Sequence, residues 1–107
     1  MSQETSPPPS LPVEPPELNA MRERLLVTLE KEAQVATGTA QPLLRKMHEL
    51  LVSTKPGEPF SPALYEDVKM AIMAFMKEPV FPPPAVIGEC VAFMQERQAV
   101  FLTATQR

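Results

Sequence analysis

From Leu18 onward, apolar side chains return every three or four positions, which is the spacing that gathers them on one face of a helix. Leu18, Met21, Leu25 and Leu29 make the first stripe, widened by Leu26, Ala33 and Val35, while Arg22, Glu23, Glu30 and Lys31 fall off it and are expected in solvent. The pattern predicts a helix over about 16–36, ended by Thr37-Gly38-Thr39. Leu43, Leu44, Met47, Leu50 and Leu51 predict a second over about 42–52, with Pro42 in a first turn where its missing N–H costs nothing.

The third helix, over 62–77, carries the strongest start signal. Ser61 is placed to cap it, Pro62 takes the first helical position, and Phe60 and Tyr65 have the spacing of a hydrophobic staple across the cap. Leu64, Val68, Ile72 and Phe75 give it a complete inward stripe. Yet Met70 to Met76 reads Met-Ala-Ile-Met-Ala-Phe-Met, apolar on every side, between Lys69 and Lys77. Such a helix is either enclosed by its own domain or touches a partner, and a body of about 90 residues has difficulty enclosing one helix completely.

In the fourth, over about 84–104, Val86, Phe93 and Val100 recur every seven residues, with Ile87, Met94 and Phe101 beside them. Cys90 and Val91 fill the intervening turn, and Arg97 and Gln98 read as an interruption. Seven-residue spacing predicts packing nearly parallel or antiparallel to another helix. Before helices three and four the same device recurs: a proline stops the chain, Phe60 or Phe81 is expected to anchor the turn, and a second proline starts the helix. Val80-Phe81, trapped between prolines, cannot serve a central strand. The fold class expected is therefore all-α, a compact bundle of about four helices.

Proline changes the picture at the N-terminus. Of 14 prolines against 3 glycines, Pro7, Pro8, Pro9, Pro12, Pro15 and Pro16 lie in the first 16 residues, where only Met1, Leu11 and Val13 are sizeable apolar side chains. That composition cannot offset the entropy of ordering the segment, so residues 1–16 are expected to form a disordered acidic tail and 17–107 the helical domain. Pro9-x-x-Pro12 and Pro12-x-x-Pro15 have the spacing of groove-binding proline motifs, but their acidic flanks favour a spacer.

Charge bears on partners. The formal net charge is -3, and Glu4, Glu14 and Glu17, the acids before Leu18, account for it, leaving ten acids and ten bases from Leu18 onward. Nucleic-acid binders draw affinity from a surplus of positive charge, so nucleic acid is disfavoured as a partner. The alternative would use Arg22, Arg24, Lys31, Arg45 and Lys46 on helices one and two, across a connection from Ser53 to Pro59 longer than a helix-turn-helix joint. The single Cys90 fits a reducing compartment, the N-terminus lacks a signal-peptide pattern, and the longest apolar run, Met70 to Met76, falls far short of a membrane span. A cytoplasmic chain with no membrane partner is expected.

Convergent chemistry is sparse. His48, the only histidine, sits among Arg45, Lys46 and Glu49, and Cys90 occupies an apolar helical position, so neither a nucleophile–base pair nor a zinc set is expected. Glu66 and Asp67 are adjacent and diverge by about 100° on a helix, and there is no glycine-rich phosphate loop. The expectation is a protein without catalysis, metal or cofactor that works by binding a protein partner or a second copy of itself. The contact residues expected are Met70, Met73 and Met76 on helix three and Phe93, Val100 and Phe101 on helix four, methionine supplying an adaptable surface.

Removing residues 1 to about 16 should leave the helical circular-dichroism signal and the melting temperature almost unchanged. A large loss of stability on that truncation would place part of the tail on the body.

Overall fold

The structure, a computed structural model, describes residues 15–105, with the backbone alone over 102–105. The expected tail lies outside the described residues except for Pro15 and Pro16. These two belong to the first helix: Pro15 is its N-cap residue and its carbonyl accepts the amides of Leu18 (3.0 Å) and Asn19 (3.4 Å). The elements are α1 (Pro16–Val35), α2 (Ala40–Ser53), α3 (Pro62–Lys77) and α4 (Ala85–Thr105). Helix α2 starts two residues before the expected Pro42, so Pro42 stands third in the helix, still within the turn whose N–H groups lack intrahelical acceptors.

The backbones pair α1 with α2, α2 with α3 and α1 with α4. Each pair is antiparallel. Arg22 near the start of α1 reaches Leu51 near the end of α2, and Thr39 before α2 reaches Glu78 after α3. Pro15, Glu17 and Leu18 lie beside Glu96 and Val100, while Met21, Leu25 and Thr28 lie beside Glu89 and Ala92. Helix α2 buries Ala40, Leu43, Leu44, Met47, Leu50 and Leu51, whereas α3 buries only Val68 completely. In backbone terms α3 packs chiefly on α2.

Local chemistry fixes the start of α3. The Ser61 hydroxyl accepts the Leu64 amide at 3.4 Å, and the Phe60 and Tyr65 rings stack with centroids 5.6 Å apart. Phe60 also meets the edge of Phe93 on α4 at 6.5 Å, which seats the α2–α3 connection against α4. At the other end, Gly38 adopts φ +59 and an added Cβ would stand 3.1 Å from the Val80 side chain. Both the left-handed backbone and the close approach require glycine there. Thr39 Oγ1 donates to the Glu78 carbonyl at 2.6 Å and ties the end of α3 to the same turn.

Four expectations need correction. Val35 is exposed rather than widening the α1 stripe, because at about 100° per residue it points more than 100° away from the buried side of Leu18, Leu25, Leu29 and Ala33. Phe81 is 77% exposed and anchors nothing; Val80, the neighbour that faces Gly38, takes the inward position. Arg22 is not a solvated charge. Its side chain is 14% exposed and its Nη1 donates to the Leu51 carbonyl at 3.2 Å. Arg97, read as an interruption, is only 1% exposed. Its guanidinium lies 4.8 Å from the Phe60 ring centre and 4.9 Å from that of Phe101, and Nη2 donates to the Lys55 carbonyl at 3.0 Å.

Replacing Arg97 with Ala removes two ring contacts and a buried donor together, and should cost about 3 kcal/mol in denaturant unfolding. Arg97→Lys keeps the charge but not the planar fork, and should recover only part of that loss. A loss below about 0.5 kcal/mol for Arg97→Ala, the level of an ordinary surface change, would contradict the role assigned to this side chain.

Candidate functional site

With Val68 pointing into the core, each successive residue of α3 turns by about 100°. Leu64, Ile72 and Phe75 follow Val68 inward and are half-buried against the core. Met70, Met73 and Met76 point elsewhere, with exposures of 60%, 55% and 72%. They are flanked by exposed Glu66, Asp67, Lys69 and Lys77, which accounts for their being tolerated in water. Lys69 pairs with Glu66 at 3.5 Å, and Lys46 of α2 reaches Asp67 at 3.8 Å and Glu49 at 3.7 Å. All are exposed pairs worth at most a fraction of a kcal/mol.

The α4 residues expected to share this surface do not join it. Phe93 is fully enclosed against Phe60, so the expectation of a partner contact there gives way to a core role. Val100 packs half-buried on the core, and half-buried Phe101 carries the Arg97 guanidinium. Helix α4 pairs with α1 and α3 with α2, so the two sets of residues are separated by the architecture itself. Phe81, four residues beyond the end of α3, is also exposed and had no periodic signal in the sequence, since it stands in an irregular stretch between prolines.

The five basic residues of the nucleic-acid alternative are also dispersed. Arg22 is committed to the Leu51 carbonyl and lies 3.7 Å from Glu23. Arg24 borders the groove between α1 and α4 opposite Glu89, Arg45 lines a groove with Glu30 and His48, and Lys46 turns toward the α3 acids. Lys31 is exposed. Acids interleave with each of these positions except Lys31, and no single basic face results.

His48 opens half-buried onto the α1–α2 groove, while Cys90 is enclosed in the core. Among the described residues no group of three or more His, Cys, Asp and Glu is placed to hold a metal ion, and no helix is long and apolar enough to cross a membrane. Burial pushes the Cys90 thiol up from 9.0 to about 12, since the thiolate would lose its hydration there. The thiol should therefore resist a disulfide reagent in the native protein and react once urea unfolds the chain. The folded state holds this proton more tightly than the unfolded state. Its contribution is fully present below pH 9.0 and is lost as pH rises toward about 12. Rapid native labelling of Cys90 at neutral pH would contradict its enclosure.

No protein-family model matches the chain, and comparison with curated proteins and with solved structures finds no match.

Proposed function

We propose that this chain is a non-catalytic helical interaction module, an adaptor, assembly or inhibitory subunit, that self-associates or binds a protein partner through the outward face of α3. The observation that carries the reading is the exposure of Met70, Met73 and Met76 on a helix whose inward stripe is already complete without them. Three neighbouring methionines give a deformable apolar surface that adapts to a protein face. They stand on a helix anchored by a cap, a ring stack and a hydrogen bond to the α1–α2 turn, so little ordering is left to be done on binding. The surface is assigned to α3 alone, since the α4 residues serve the core.

Met73→Glu should abolish association in sedimentation while the monomer stays helical by circular dichroism, because the new charge stands in solvent until a partner covers it. Val68→Glu, at the fully buried position of the same helix, should unfold the chain. In peroxide footprinting, Met70, Met73 and Met76 should oxidise in the dilute isolated chain and become protected in a complex, with enclosed Met47 slow in both. Equal reactivity of the three methionines in the free and the bound chain would remove α3 as the contact surface.

A further inference from the structure

The outward face of α3 carries more order than apolarity. Opposite Val68, at about 100° per residue, small Ala63 and four long side chains lie within about 40° of the outward direction; the four are Glu66, Met70, Met73 and Lys77. Their spacing is four, three, four. That is the spacing of a coiled-coil seam, running along the back of a helix whose front seam serves the core. All four residues are exposed.

The seam reads acid, methionine, methionine, base, and it is complementary to its own reverse. Laid antiparallel on a second copy about a two-fold axis midway between Met70 and Met73, each Met70 meets the other copy's Met73, and each Glu66 meets the other copy's Lys77. The two ion pairs close the ends of a stretch spanning about 16 Å of helix. A parallel arrangement would instead set Glu66 against Glu66 and Lys77 against Lys77. The flanks agree with the antiparallel choice. Met76 and Lys69 lie on one side of the seam, where the lysine stem can cover the methionine with its ammonium in water, and Asp67 and Ala74 lie on the other, with no like charges opposed.

We propose that the occupant of this face is a second copy of the same chain, paired through α3 in an antiparallel, two-fold symmetric seam whose register is set by Glu66 and Lys77. This rests on the reading of α3 as the contact surface and names its partner and geometry. An interface in which each copy contributes the same patch needs this self-complementarity, and a patch evolved for an unrelated protein does not. Helix α3 is also sterically suited to the pairing, since its backbone packs chiefly on α2. One seam of about three turns covers less than the roughly 800 Å² per partner of a standard stable interface. The dimer is accordingly weak, with a dissociation constant on the order of 100 µM.

The test is sedimentation equilibrium of the full chain from about 10 µM to about 1 mM, a range bracketing that constant, with circular dichroism confirming the fold of every variant. Glu66→Lys and Lys77→Glu each turn both end contacts repulsive and should each weaken dimerisation roughly tenfold. An equimolar mixture of the two variants restores both attractions in the mixed dimer, and should recover the wild-type association to within about twofold. The mixture is preferred to the double variant, which would also place both charges against the helix dipole. Single reversals without effect, or a mixture that fails to recover, would overturn the register. Association lost in Met73→Glu but indifferent to both reversals overturns this geometry and keeps α3 as the surface. Association unchanged in a folded Met73→Glu protein overturns both. A wild type that stays monomeric throughout the range overturns the second copy as the occupant, while the footprint of a complex with another protein decides the α3 surface separately.

Discussion

The C-terminal end of α2 is the point on which the rest of the bundle depends. A helix ends with carbonyls that have no intrahelical donor, and here that end is packed among the other three helices, where an unpaired carbonyl is costly. Each satisfying donor comes from a different direction. The Thr54 hydroxyl donates to the Leu50 carbonyl at 2.7 Å, Arg22 of α1 donates to Leu51, and Arg97 of α4 donates to Lys55 just beyond the helix. Two cations are thereby gathered at the negative end of the helix dipole. Phe60, which leads into α3, supplies the ring on which one of them rests. The end of α2 thus ties α1 and α4 to α2 by hydrogen bonds with defined directions, which apolar packing alone does not provide, and the ring contact to Phe60 adds the connection into α3.

The position of α2 decides what is left exposed. It is enclosed by α1 on one side and α3 on another, and α4 joins through α1. The α3 helix therefore closes the arrangement on one flank and needs only one seam for the core. Its second seam has no task within the monomer. Three exposed methionines add nothing to the burial that stabilises the chain, which is why the proposed contact is assigned to them.

Much of this was legible because the sequence punctuates itself. Proline, serine and glycine mark the ends of helices, and the apolar spacing between them is regular, so Ser61, Pro62 and the Phe60–Tyr65 staple act as the pattern implies. What the pattern concealed was the arginines, because a charge is read as solvated, as at Arg22, or as a break in a stripe, as at Arg97. The spacing itself held the contrary signal. Val86, Cys90, Phe93, Arg97 and Val100 step by four, three, four, three, so Arg97 occupies a core position, and Phe101 one turn later supplies a ring face for it. Phe81 misled in the other direction. Its resemblance to Phe60 is one of local sequence, whereas burial depends on which residue the preceding turn aims inward, and there Val80 is the one that meets Gly38.

The α3 surface was visible as composition but not as geometry. An all-apolar stretch does not say which of its residues face inward until one residue fixes the rotation, and Val68, the only fully buried residue of α3, does so. Once the rotation is fixed, Met76 moves to the flank of the outward seam, while Glu66 and Lys77, which composition alone would leave as solvated charges, move onto it. Charges at the two ends of an apolar seam contribute little to affinity while solvated, yet they discriminate strongly between registers, because the wrong pairing sets like charges together as the interface dries. In a short seam with only two methionines per copy at its centre, apolar contact cannot select one alignment over another by area. In the proposed dimer the end charges would therefore determine direction and register, and the methionines, able to repack in any alignment, would supply the adhesion that those charges direct.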